Sequence, residues 1–219
     1  MKYGQIAESK AINTTIYDCF QFLTEPEVLK FVKRFKEQPH NESQVMHTFR
    51  ELILGAFLSQ NQYNIEYEFA IDSKTPDWCV LDDHSEPRCI IELLNFNIDA
   101  ETKGEMIRQK QQKGIWSGFV NSNIDRLYTK ISKKVTKYKT LVRKHDLSFV
   151  ISLFGEFTAF LEEYEINECL FEEGTGLFHL YPEMSGLLYF EEYSGNYFFR
   201  YTINPNATIT INFNDGSLY

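Results

Sequence analysis

The run Leu147–Phe154 (LSFVISLF) is apolar at nearly every position. A strand with one wet face alternates, whereas a continuous run reads as a strand covered on both faces. That places a sheet at the centre of the chain with helices flanking it, an α/β (α+β) class. A second run, Arg88–Phe96 (RCIIELLNF), has the same character except for one charge, Glu92. A carboxylate inside a buried strand is costly without a partner.

The rest of the chain supplies elements around these two strands. Residues 15–37 read as helical, broken near Pro26, and residues 43–60 as a helix with Asn41 and Gln44 as a capping signal. Asn64–Ile71 alternates like a strand, and Asp77–Leu81 follows the turn residues Ser73–Pro76. Residues 99–121 are polar and fit either a loop or a helix. From Asn123 to Lys144, Ile124, Leu127, Tyr128, Ile131, Val135, Tyr138 and Val142 share one helical face. A helix is expected after Gly155, then strands at LLYFEEY, YFFRYTI and ATITINF, the first two joined as a hairpin. Three segments follow from this pattern: an N-terminal helical segment over 1–40, a core over 41–160, and an acidic C-terminal extension over 161–219, β-rich and packed on the core.

The net charge of -9 is unevenly spread. Residues 103–144 carry 12 Lys and Arg against two acids, while residues 145–219 carry 12 acids and one Arg. A basic segment inside an acidic protein is a candidate contact for phosphates. No stretch of about 18 apolar residues exists, so no membrane span is expected. The first 20 residues lack the apolar region of a signal peptide, and the four cysteines have no zinc-ligand spacing. A cytoplasmic protein with reduced thiols is the expectation.

Glu92 has a candidate companion. A hairpin centred between His84 and Ser85 sets Asp77 opposite Glu92, Cys79 opposite Ile90 and Leu81 opposite Arg88. Opposed Cβ atoms lie about 4.5–5.5 Å apart. Two carboxylates that close either point into water at a sheet edge or share a cation. Mg2+ takes carboxylate oxygens and keeps several waters, which suits water activation or phosphoryl chemistry. A one-residue slip would send Glu92 to the other face.

The order is a helix with Glu51, a strand, a strand opening with Pro76-Asp77, a strand with Glu92, a basic helix and a strand. It resembles the PD-(D/E)XK nuclease superfamily over about residues 45–155, with TPDW (75–78) as the Pro-Asp half and IELL (91–94) in place of the Glu-x-Lys half. The resemblance implies a restriction-endonuclease-like mixed sheet flanked by helices. It implies a metal-dependent nuclease, endo- or exonucleolytic, hydrolysing DNA or RNA with Mg2+ or Mn2+. Asp77, Glu92 and the Leu93 carbonyl would be metal ligands. Glu51 would be an auxiliary acid, its alternative being a solvated helix face. Homodimers, common in this fold, are a further expectation. The departure is Leu94, which stands where the family has lysine.

Some members of the superfamily bring that lysine from the following helix. Around the helix axis Lys134 lies about 75° from the centre of the apolar stripe, Lys130 about 115° and Lys137 about 135°. Lys134 is therefore the first candidate and Lys130 the second. Lys103, Arg108, Lys110, Lys113, Arg126, Lys130, Lys133 and Lys137 are candidate nucleic-acid contacts, with Trp116, Phe119 and Tyr128 as stacking surfaces. A degenerate member of the fold, binding nucleic acid or a protein without cutting, is the competing expectation. The five histidines show no metal-ligand spacing.

Overall fold

The computed structural model describes residues 9–37, 41–114 and 122–218. Helices α1 (Lys10–Phe20), α2 (Glu25–Glu37) and α3 (Glu42–Gln60) come first. The break falls before Pro26, which sits in the first turn of α2, where a missing N–H costs nothing. Glu27 closes that turn by accepting from the Thr24 amide and hydroxyl, each at 3.0 Å. Asn41 caps α3 by accepting from the Gln44 amide at 3.1 Å.

The sheet then begins with β1 (Ile65–Tyr67), β2 (Trp78–Leu81) and β3 (Pro87–Phe96). Helices α4 (Ala100–Lys113) and α5 (Ile124–Lys144) lead to β4 (Ser148–Gly155). A short 3-10 turn at Phe157–Ala159 precedes α6 (Glu163–Phe171) and α7 (Leu177–Leu180), and β5 (Gly186–Tyr193), β6 (Asn196–Ile203) and β7 (Gly216–Leu218) close the chain. The strands form one seven-stranded mixed sheet in sequence order. β3–β4 and β4–β5 are parallel and the other pairs antiparallel.

Because β5 pairs with β4, the strands after residue 161 continue the central sheet instead of forming a layer on it. The architecture is thus mixed α/β, with two apolar cores on the two faces. One gathers α1–α3 over Trp78, Val80, Cys89, Ile91 and Leu93. The other gathers α5–α7 over Cys79, Ile90, Leu94 and Phe96, and over Phe149, Ile151 and Leu153 of β4. Cys79, Cys89 and Cys169 are free thiols inside these layers.

Four expectations are corrected. The expected strand Asn64–Ile71 stops at Tyr67, because Glu68 and Asp72 turn the chain with positive φ (53° and 52°). The segment ATITINF forms no strand, and the last strand is Gly216–Leu218. The helix after Gly155 is delayed to Glu163 by Phe160 at φ 51°. Leu81 faces Pro87 instead of Arg88, owing to a register shift after Val80.

The ambiguous 99–121 stretch holds α4, capped by Asp99 and ended by Gly114 at φ 73°. No residue of α4 is buried. Trp116 and Phe119 lie outside the described residues. Among the described residues, no helix is long and apolar enough to cross a membrane.

Candidate active site

The hairpin register holds from Trp78 to Val80: Trp78 faces Ile91 and Cys79 faces Ile90. Asp77 lies one residue before β2. Its Oδ2 accepts the Leu93 amide at 2.7 Å, closing the ladder where the two strands part. Pleat alternation then puts Asp77 and Glu92 on the α5 side with Cys79, Ile90 and Leu94.

α3 approaches the same place from the other face. Residues Thr48–Leu58 of α3 are all buried, so Glu51 is no solvated helix position. Tyr67 donates its hydroxyl to Glu51 Oε2 at 2.8 Å, and the Trp78 indole donates to the Glu51 carbonyl at 2.9 Å. Trp78 fits against α3 because position 55 is glycine: a Cβ there would lie 1.9 Å from the indole ring.

One turn before Glu51, His47 Nε2 lies 3.2 Å from Glu51 Oε1. The other ring nitrogen of His47 is 2.7 Å from the Asn95 amide. His47, Glu51 and Asp77 each present a ligand atom, and these atoms lie within 4.8 Å of one another. His47 is the residue sequence reasoning missed. Its i, i+4 spacing to Glu51, on a helix packed against the Asp77 strand, was the available signal.

Glu92 takes a different part. It is 1% exposed. Its Oε2 accepts from Lys134 Nζ at 2.5 Å, while Oε1 has Lys137 Nζ at 3.8 Å and no hydrogen-bond partner. Lys130 is exposed and pairs with neither carboxylate among the described residues. The angle around α5 ranked the lysines, but height along the axis decides which one reaches. Lys130 stands a full turn, about 6 Å, short of Lys134. Leu94 is sealed in the core at 8% exposure. For Leu93 the structure records the amide bond to Asp77.

Charge crowds this centre. Burial, then the charges of Glu92 and Glu51, push the Asp77 carboxyl up to about 7. Burial alone would lower the Lys134 ammonium, but Glu92, Asp77 and Glu51 together raise it, so it stays protonated. For His47, burial pulls down, and the hydrogen bond and charge of Glu51 override it, giving a raised pKa. His47, Glu51 and Asp77 together offer a donor set that could hold a divalent cation. With an imidazole in it, such a group would favour Mn2+ over Mg2+.

The basic residues divide. Lys103, Arg108, Lys110 and Lys113 are exposed along α4, and Lys133 along α5. Arg126 is committed to the fold: it donates to the Asn97 carbonyl at 2.6 Å and to Asn123 Oδ1 at 2.9 Å, and lies over the Phe96 ring. No family model matches this chain, no curated protein is significantly similar to it, and no solved structure is significantly similar to its fold.

Proposed function

We propose that this chain is a divalent-metal-dependent nuclease that hydrolyses phosphodiester bonds in DNA, with RNA as the second substrate to test. The observation that carries the reading is the Lys134 ammonium. It reaches from α5 to a buried Glu92, beside the His47–Glu51–Asp77 group, while the position expected to hold a lysine is a core leucine. Asp77, Glu51 and His47 would hold the ion, with Mn2+ favoured, and His47 would release its proton on binding. A bound ion supplies Lewis acidity and a more acidic water.

The chain's own groups do the rest. Leu93 N–H and Tyr67 O–H fix the orientation of Asp77 and Glu51. Lys134, held charged, donates to the negative charge that builds on the phosphoryl oxygens and cannot serve as the base. The exposed cations of α4 and α5 would hold the phosphate backbone, and their contribution should weaken with salt. A second reading, a nucleic-acid-binding protein that does not cut, is favoured by one observation. Glu92 spends its charge on Lys134 and Lys137 instead of joining the ligand group.

The test is cleavage of supercoiled, linear and single-stranded DNA, and of RNA, with Mn2+, Mg2+ or EDTA. Mn2+-dependent cleavage should fall at least ~100-fold in Asp77→Asn and in Lys134→Met. Cleavage that persists in Asp77→Asn sinks the site, and Mn2+ binding without any cleavage favours the second reading.

A further inference from the structure

A second concavity opens beside the metal group, on the neighbouring strip of α3. It has a volume of about 260 Å³ and is lined by Arg50, Phe154, Glu156, Phe157, Glu192 and Tyr197, among others. It sits at the C-terminal ends of β4 and β5, where open α/β sheets receive ligands. Asn95, which holds His47, is the register partner of Phe154 on its wall. The pocket and the metal group are therefore adjacent.

Arg50 is unusual here. It is 7% exposed, yet among the described residues it makes no hydrogen bond or ion pair, and its buried Nε has no partner. Its guanidinium carbon lies 4.1 Å from the centre of the Phe154 ring. Burial lowers the Arg50 pKa against the opposing charges of Glu156 and Tyr197. A buried N–H with no acceptor is expensive, so the Nε edge of Arg50 favours a ligand that brings acceptors.

Those acceptors do not suit a phosphate. Glu156 and Glu192 line the same space, so one cation faces two carboxylates. Glu192 accepts the Gly195 amide at 2.6 Å through one oxygen, whereas Glu156 has no side-chain hydrogen bond among the described residues. A neutral planar ring with acceptors on one edge and donors on the next meets both groups. Phe157, 84% exposed at the rim, offers a face for stacking.

We infer that this pocket takes a nucleobase of the bound strand, guanine by preference, resting on the nucleic-acid reading of the neighbouring site. Arg50 donates to O6 and N7, as arginine does to guanine elsewhere. Glu156 accepts from N1–H and the exocyclic amine, and Phe157 stacks. Base recognition next to the cutting centre would set the sequence preference of the reaction.

The test is isothermal titration calorimetry with GMP, AMP, CMP, UMP and inorganic phosphate, in EDTA so that no metal chemistry contributes. GMP should bind saturably and at least ~10-fold tighter than the other nucleotides. Arg50→Lys keeps the charge but loses the fork, and should weaken GMP ~10-fold. Glu156→Gln, at a side chain with no hydrogen bond of its own among the described residues, should erase most of the guanine preference. Equal binding of any other nucleotide, phosphate binding as tight as GMP, GMP binding unchanged in Arg50→Lys, or no GMP binding overturns the pocket. Cleavage without a guanine preference leaves the nuclease standing and removes this inference, whereas GMP binding without cleavage does the reverse.

Discussion

Glu165 and Glu92 are both acids cut off from water, at 3% and 1% exposure, but they are treated differently by their surroundings. Glu165 accepts from the Asn123 amide at 2.7 Å, the Asn123 side chain at 3.1 Å and the Glu162 amide at 3.1 Å. Its oxygens are used up in joining the start of α6 to the start of α5. Glu92 has one oxygen on Lys134 and one with no hydrogen bond. A satisfied buried carboxylate is part of the frame. One with a single hydrogen bond, set between two lysines and two further carboxylates, belongs to a crowded electrostatic centre, and that marks the candidate site.

The largest expected effect is on pH dependence at the crowded end. Asp77 lies at about 7 in the fold against an ordinary 3.8, so the folded state holds its proton more tightly than the unfolded chain does. Stability from that proton is present at acid pH and lost as pH rises through about 7. Denaturant unfolding of the metal-free protein should show Asp77→Asn gaining on wild type between pH 4 and 8, by at most about 4 kcal/mol, and Mn2+ should suppress the difference. A constant difference across that range would mean the carboxylates are not in conflict.

Next in size is Glu165→Ala. It strands two backbone amides and the Asn123 side chain, and should cost about 3 kcal/mol with no sensitivity to Mn2+. A wild-type urea midpoint in this variant would break the distinction between the two acids.

Lys134→Met removes the main partner of Glu92 and leaves Lys137 as a distant substitute. A loss of about 2 kcal/mol is expected, with much of it recovered in the Glu92→Gln/Lys134→Met pair. Strict additivity in that cycle would show that the contact carries no coupling. The smallest effect is Glu92→Gln alone, about 1 kcal/mol or less, since Lys134 is 26% exposed in its side chain and can turn to water.

Much of this was readable before any coordinates, for identifiable reasons. The β2–β3 register follows from centring the short polar turn between His84 and Ser85, and it is observed from Trp78 to Val80. The apolar stripe of α5 placed Lys134 at the border of the core, where it is found. What escaped depends on packing across elements. α3 is apolar almost all round, with Arg50 and Glu51 among its buried residues, so its stripe could not show which polar side chains turn inward. His47 and Glu51 became partners of Asp77 only because Gly55 lets the Trp78 indole bring α3 down onto β2. The strand after Asn64 was overread because nothing in alternation signals the positive φ of Glu68.

The outermost strands, β1 and β7, are three residues each, the shortest in the sheet. An open edge is a template on which another chain can add rungs, and a brief one offers few. This sheet therefore resists growing sideways into aggregates at high concentration.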